Sequence, residues 1–171
     1  MNDLRYPIGQ YQRRTVADAG ERLALIGSMR ELPEKLRHTV ADLPEDHLNI
    51  SYREGGWTIR QVIHHLADSH MNGYMRFKLA LTEDSPEIKP YRQDAWALTH
   101  ENFDTAVEVS VNLLDGIHKR WTNLLASLTD MDYERKFIHP ETGPWTLHEA
   151  LGLYEWHGRH HLAHIQSVGK R

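Results

Sequence analysis

Residues 146–168 read TLHEALGLYEWHGRHHLAHIQSV, a stretch that combines helix signals with a cluster of histidines. Thr146 and Glu149 have the spacing of a capping box, in which two side chains satisfy the first backbone N–H groups of a helix. Apolar residues follow at helical spacing, at Leu147, Leu151, Tyr154, Ile165 and Val168. The stretch therefore predicts an amphipathic helix from about Thr146 to Val168.

Three more long helices are predicted earlier in the chain, from apolar residues three and four positions apart. They cover about Thr15–Asp42, Thr58–Thr82 and Ala106–Leu128. Pro33 is expected to kink or divide the first of them, because proline has no backbone N–H. Thr58 and Gln61 form a second capping-box pattern at the start of the next helix.

The remaining segments predict smaller elements. We expect a short helix at Arg92–Thr99 and a small hairpin or loop at Phe137–Trp145, which contains two prolines and a glycine. A chain of 171 residues has the size of one domain. Residues 1–171 are therefore expected to form a single all-α domain, a four-helix bundle with the small hairpin or loop before its last helix. The long connection Glu83–Glu101 permits a non-sequential arrangement of the helices.

Histidine is the unusual feature of the composition, since the chain has 13 histidines and no cysteine. The lack of cysteine excludes disulfides, thiolate zinc sites, iron–sulfur clusters and cysteine nucleophiles. Any transition-metal site in this chain must therefore use imidazole, carboxylate and water as ligands.

Charge and hydropathy exclude further classes of protein. The formal net charge is −4 and the basic residues are scattered, which argues against a nucleic-acid partner. The sequence has neither an apolar run near the roughly 18 residues of a membrane helix nor the apolar core of a signal peptide. We therefore expect a cytoplasmic protein without a membrane partner.

Four histidines lie within eight residues of the last predicted helix. They are His157, His160, His161 and His164. Histidines four residues apart share a helix face and can bind one ion, which gives the pairs His157/His161 and His160/His164. Helical phase turns His157 and His161 toward the apolar stripe, leaves His164 at its boundary, and puts His160 at the rim or outside. The phase favours His157/His161 as the inward pair.

A third ligand is expected from the second predicted helix, which contains His64, His65 and His70. His64 points away from the apolar stripe, His65 lies on its flank, and His70 lies closest to its centre. The phase favours burial of His70, whereas a ligand aimed at a neighbouring helix can lie at the edge of the stripe, as His65 does. Three imidazoles plus solvent would form an open site of the catalytic type.

Two carboxylates near these histidines are candidates for supporting roles. Asp68 can orient His65, because metal-bound imidazoles usually donate their second N–H to a carboxylate or carbonyl. Glu155 is a candidate general base. The residue pattern itself favours exposed positions on a helix for both. The other histidines are expected on the surface or in loops, and they include His38, His47, His100, His118, His139 and His148.

Four stretches together resemble the DinB-like superfamily and, more narrowly, its YfiT-type metal-dependent hydrolases. They are residues 52–72 (YREGGWTIRQVIHHLADSHMN), 76–83 (RFKLALTE), 89–91 (KPY) and 156–165 (WHGRHHLAHI). The resemblance covers nearly the whole chain. It implies a four-helix bundle with a zinc or nickel ion on three histidines, one directly before a Leu-Ala-Asp-like step and two in a His-x-x-x-His pair.

These positions correspond here to His65, His157 and His161, with His160/His164 as an alternative register for the pair. Many members have glutamine where His164 stands. His164 is therefore either a departure from the family or an additional polar group near the metal, a role that Asp68 can share.

The resemblance implies more than one chemistry for the same ligands. The first hypothesis is hydrolysis of a small-molecule substrate by metal-activated water. The second is transfer of bacillithiol or another low-molecular-weight thiol, bound to the metal as thiolate, to an electrophile. The third is a non-catalytic bundle that binds a metal or ligand. We expect one divalent ion per subunit, zinc first and nickel as the alternative, and the family resemblance suggests a homodimer.

Overall fold

Helices account for most of the computed structural model, which describes residues 4–16 and 18–169. In chain order its elements are α1 (Ala19–Ala41), a 3₁₀ helix (Glu45–Asn49), α2 (Ile59–Thr82), α3 (Gln93–Trp96), α4 (Glu101–Asp104), α5 (Val107–Ser127), α6 (Asp130–Tyr133), β1 (Lys136–His139), β2 (Gly143–Thr146) and α7 (Leu147–Val168). The four long helices α1, α2, α5 and α7 are the four that the sequence predicts, and the all-α prediction is confirmed. Among the described helices, none is both long and apolar enough to cross a membrane.

The four long helices pack in an order that differs from their order in the chain. The main contacts of both α1 and α2 are with α5 and α7, so α1 and α2 lie on a diagonal of the bundle. The predicted freedom for a non-sequential arrangement is therefore used. However, the Glu83–Glu101 connection joins the neighbouring helices α2 and α5, while residues 42–58 and 128–146 make the diagonal crossings.

Both predicted capping boxes are present. The Thr58 hydroxyl accepts a bond from the Gln61 backbone N–H at 3.2 Å, and the Gln61 side chain accepts one from the Thr58 N–H at 3.0 Å. Thr146 and Glu149 make the same reciprocal pair at the start of α7. These caps fix where the two histidine-bearing helices begin, and they thereby set the phase of every side chain that follows.

The first helix differs from the prediction at its start and around its proline. It begins at Ala19, with the Asp18 side chain accepting the Glu21 N–H as N-cap, rather than at Thr15. Ala17, which falls within the predicted helix, lies outside the described residues. Pro33 is buried inside an uninterrupted helix, so it does not divide α1.

The predicted hairpin is confirmed as β1 and β2, an antiparallel pair that runs from Lys136 opposite Thr146 to His139 opposite Gly143. Ile138 in β1 also exchanges backbone hydrogen bonds with the loop after α2, accepting the Ile88 N–H at 2.9 Å and donating to the Pro86 carbonyl at 2.8 Å. The hairpin thus fixes the loop that leads into α3, and α3 lies at the mouth of the histidine site described below.

Tyr11 and Arg13, in the N-terminal segment that the structure describes (residues 4–16), contact α7. The Tyr11 hydroxyl donates to the Glu149 backbone carbonyl at 3.1 Å, and the Arg13 guanidinium makes two bonds to the Glu149 carboxylate at 2.8 and 2.9 Å. This segment covers a side of α7 that the bundle alone would leave exposed.

Gly73 marks the closest approach of α2 to its neighbours. A Cβ at this position would lie 2.5 Å from the Tyr154 ring and 2.6 Å from the Trp121 ring, and both rings are buried. Only glycine lets α2 approach α5 and α7 this closely.

We expect Gly73→Ala to lower the free energy of unfolding by about 1–3 kcal/mol, because two buried aromatic rings must move. Gly116 of α5 is the matched control, since a Cβ there meets nothing within 4 Å. Gly116→Ala should raise stability by up to about 1 kcal/mol through helix propensity. Urea unfolding of both variants measures the difference, and equal stability would contradict the close approach at Gly73.

Candidate metal centre

Three histidines from two neighbouring helices converge in the lining of one cavity. His65 comes from α2, and His157 and His161 lie one turn apart on α7. Each offers a ring nitrogen, and these three nitrogens lie within 4.8 Å of one another. The Nε2 atoms of His65 and His157 are 3.3 Å apart. The three residues that the resemblance implies are therefore brought together.

Two aromatic side chains pack against His65 and against His164, which neighbours His161 on α7. The Trp57 ring, just before α2 begins, lies 4.7 Å from the His65 ring. Tyr52 stacks on His164 with ring centroids 4.0 Å apart. Both aromatic residues belong to the turn that precedes α2, so the 52–58 segment forms one wall of the site.

Two cavities meet at His157. The first has a volume of about 580 Å³, and its lining includes His65, His157, His161 and Trp57. The second has a volume of about 540 Å³, and its lining includes Arg76, Tyr91 and Tyr154. Gln93, Asp94 and His157 line both cavities. A small molecule in the first cavity can therefore reach all three histidines, and one in the second cavity can reach His157.

The three rings are held in their uncharged form. Burial lowers the pKa of His65 to about 4. Burial also moves the pKa values of His157 and His161 well below the ordinary range, and the neighbouring imidazoles add to the effect. A metal-ligating imidazole must be unprotonated on the ligating nitrogen, so these shifts keep the site ready for an ion at neutral pH.

His157 and His161 each use ring nitrogen Nδ1 in a hydrogen bond. His157 Nδ1 lies 3.2 Å from Nε2 of His70, and His161 Nδ1 lies 3.3 Å from Nδ1 of His164. His164 Nε2 in turn lies 3.2 Å from the backbone carbonyl of Arg5. Nε2 is therefore the nitrogen of His157 and of His161 left for a ligand.

A second group of three histidines shares a member with the first. His160, His161 and His164 also offer nitrogens within 4.8 Å of one another. His160 is only 6% exposed, which corrects its expected place at the rim. The Trp156 ring stacks on it at 4.5 Å and Tyr6 of the N-terminal segment lies at 6.1 Å, a cover that helical phase does not reveal.

Both supporting carboxylates behave differently from expectation. Glu155 is buried at 6% exposure, where it accepts bonds from Ser28 at 2.7 Å and from Arg159 at 2.6 and 3.0 Å. It ties α7 to α1 and lines neither cavity at His157. In the described part of the chain, no hydrogen bond joins the Asp68 carboxylate to His65. Burial, aided by Glu101, raises the pKa of Asp68 to about 6.

Three other histidines are buried against expectation. His64 is covered by α5, where its Nδ1 lies 2.7 Å from the Ser110 hydroxyl. His148 stacks on Tyr133, with ring centroids 5.0 Å apart. His118 is 1% exposed and contacts His70. The sequence carried a signal for His118, since it lies four residues after Leu114 and three before Trp121, on the apolar stripe of α5.

Comparison with known families agrees with this architecture. The sequence model of the DinB superfamily matches residues 28–165, which span α1 to near the end of α7. The chain belongs to the DinB superfamily.

Relatives within the DinB superfamily match the chain from end to end. A protein of Bacillus cereus (strain B4264) is 52% identical over all of this chain and 98% of its own length, and one of Bacillus thuringiensis subsp. konkukian (strain 97-27) is 51% identical with the same coverage. Both carry the name "Putative metal-dependent hydrolase". The solved structure of YfiT from Bacillus subtilis is 46% identical, with a TM-score of 0.95 over 98% of this chain and 97% of that one.

YfiT is described as "a probable metal-dependent hydrolase with an unusual four-helix bundle topology". The prediction of a DinB-like four-helix bundle is confirmed.

The buried histidines make the metal-free protein sensitive to acid. Burial lowers the pKa of His118 to about 4 in the folded chain, against an ordinary value of 6.5. Below pH 6.5 the unfolded chain binds a proton that the folded chain does not bind until about pH 4. The contribution of such a residue to the free energy of unfolding is therefore complete above about pH 6.5. It falls toward pH 4 by about 1.4 kcal/mol per pH unit.

We expect urea unfolding of the metal-free protein to show a marked loss of stability from pH 7.5 to pH 5. His118→Gln should reduce that pH slope by close to one proton, whereas His38→Gln should not, since the His38 side chain is 74% exposed. Equal stability at the two pH values would contradict the burial of neutral imidazoles.

Proposed function

We propose that this chain is a hydrolase of small molecules that uses one divalent metal ion per subunit, held by His65, His157 and His161. Zinc is the first choice of ion and nickel the alternative. The observation that carries the proposal is the convergence of three uncharged imidazoles, with nitrogens within 4.8 Å of one another, at the wall of an open cavity.

The donor set fits such an ion. Imidazole nitrogen suits zinc and nickel, and three histidines plus open positions are typical of catalytic rather than structural zinc sites. Two nitrogens bound at 2.0–2.1 Å to a tetrahedral ion lie about 3.3 Å apart. The Nε2 atoms of His65 and His157 have this separation of 3.3 Å.

When bound, such an ion lowers the pKa of a water ligand and polarises a carbonyl or phosphoryl oxygen. The chain itself supplies position and walls. The helix caps and the Trp57 and Tyr52 rings fix His65 and His164, and the first cavity gives a small substrate access to all three histidines. Asp94 is the carboxylate in the lining of both cavities, and we assign it the role of proton acceptor.

Transfer of a low-molecular-weight thiol would use the same three ligands. The chain has no cysteine, so the thiol would have to arrive as a substrate. An assay of activity must therefore include thiol–electrophile pairs beside hydrolysable substrates.

We expect His65→Ala and His161→Ala each to abolish stoichiometric zinc or nickel binding in equilibrium dialysis, while circular dichroism shows the helices intact. His38→Ala is the matched control, since His38 lies on the surface of α1. Tight binding retained in both variants would overturn the ligand assignment. Binding that survives His65→Ala but not His160→Ala would instead place the ion on His160, His161 and His164.

We expect a panel of esters, amides and phosphoesters to be hydrolysed only by the metal-loaded protein. Asp94→Asn should lower kcat by about 100-fold or more, the range of a lost general base. Glu141→Gln is the control, because Glu141 lines only the second cavity. Equal activity after chelation would remove the metal from the reaction. Turnover with thiol–electrophile pairs alone would favour thiol transfer over hydrolysis.

A further inference from the structure

A chain of three imidazoles runs through the core behind the candidate metal centre. His157 Nδ1 lies 3.2 Å from His70 Nε2, and His70 Nδ1 lies 2.7 Å from His118 Nε2. The chain ends where His118 Nδ1 lies 2.5 Å from the backbone carbonyl of Met29. It takes one residue from each long helix, α7, α2, α5 and α1 in turn.

The end of this chain fixes its direction. A backbone carbonyl can only accept a hydrogen bond, so His118 must carry its proton on Nδ1 and donate it to Met29. A neutral His118 then has a lone pair on Nε2, which accepts the proton of His70 Nδ1. By the same step His70 Nε2 accepts from His157 Nδ1, which leaves the lone pair of His157 on Nε2.

The Met29 carbonyl is available because of Pro33. Within an α-helix the carbonyl of residue 29 would accept the backbone N–H of residue 33, and proline has none. A buried carbonyl without a partner is costly, and His118 supplies the missing donor. Pro33 thus opens an acceptor inside α1 at the place where the imidazole chain ends.

The surroundings keep the three rings neutral. His70 is fully buried and His118 is 1% exposed. In the described part of the chain, no carboxylate makes a hydrogen bond to His70, His118 or His157. A neutral imidazole has one donor and one acceptor. Each ring of the imidazole chain therefore has a single tautomer that satisfies both of its neighbours.

We infer that His70 and His118 are positioning residues that hold His157 in the tautomer with its proton on Nδ1, so that Nε2 points a free lone pair at the metal. This inference rests on the proposed metal site. His161 has a shorter version of the same device, in which its Nδ1 donates to His164 and His164 Nε2 donates to the Arg5 carbonyl. His164 accordingly orients His161 and is not itself a ligand.

The hydrogen bonds of the imidazole chain can be observed directly in the metal-free protein by nitrogen NMR of ¹⁵N-histidine-labelled samples. We expect His157 and His70 both to be protonated on Nδ1, with a ¹⁵N–¹⁵N coupling through the hydrogen bond between His157 Nδ1 and His70 Nε2. A His157 ring protonated on Nε2, or the absence of that coupling, would overturn the inference without any substitution in the protein.

Substitutions separate positioning from packing. His118→Leu removes the acceptor for His70 Nδ1 but touches neither His157 nor the metal. His70 is then free to protonate on Nε2 and donate to His157 Nδ1, which moves the His157 proton onto the ligating nitrogen. We expect a shift of the His157 tautomer and a loss of zinc affinity of about 10–100-fold, the usual effect of removing support behind a ligating histidine. His70→Leu should give a comparable loss.

His148→Leu is the matched control. It also removes a buried histidine, but one that stacks on Tyr133 and does not belong to the imidazole chain. It should leave both the His157 tautomer and the zinc affinity unchanged, as measured by competition with a chromophoric chelator. Unchanged zinc affinity in His118→Leu and His70→Leu, or an equal loss in His148→Leu, would show that the imidazole chain contributes only packing and does not position His157. A wild-type protein that binds neither zinc nor nickel would defeat the proposed function, while the metal-free spectra would still decide the inference.

Discussion

An imidazole buried in a helical core brings a donor and an acceptor that water no longer satisfies, and this constraint shapes the centre of the molecule. The backbone groups of a helix are already paired with one another, so they offer few partners. Behind His157 and His161 this chain meets the constraint by pairing rings with rings and ending each series on a backbone carbonyl. One series ends at Met29 in α1 and the other at Arg5 in the N-terminal segment. The site and the core are therefore one hydrogen-bonded unit.

The order of the helices makes this unit possible. Because α1 and α2 lie on a diagonal, α2 is a neighbour of both α7 and α5, and α5 is a neighbour of α1. His70 on α2 can then contact His157 on one side and His118 on the other. In a bundle whose consecutive helices were all neighbours, α5 would pack beside α7 and its path to α1 would run across the core. The crossing connections thus determine which side chains can support the site.

The sequence predicted the features that depend on local patterns, namely the positions of the helices and the faces that they bury. Two capping boxes and the apolar spacing gave the histidine-bearing helices, and the phase of the last helix turned His157 and His161 inward. Phase favoured burial of His70 and left His65 at the edge of the apolar stripe, but it could not show which of the two meets His157 and His161 as a ligand. The family resemblance chose His65. The sequence misplaced His160 because helical phase does not show the cover over that ring, which comes from the stacked Trp156 and from Tyr6 in the distant N-terminal segment. The apolar stripe of α5 contained the signal for burial of His118. The sequence contained no signal for its hydrogen-bond partner, the Met29 carbonyl of α1.

Pro33 shows why such a feature escapes sequence analysis. Read locally, a proline inside a helix predicts a kink or a break, since it removes one hydrogen bond and costs about 3 kcal/mol relative to alanine. In the structure the helix continues, and the freed carbonyl of Met29 receives His118 from another helix. The local loss is offset only by a partner 89 residues away along the chain. A residue that looks like a defect in its own helix therefore provides the fixed acceptor from which the tautomer of His157 follows.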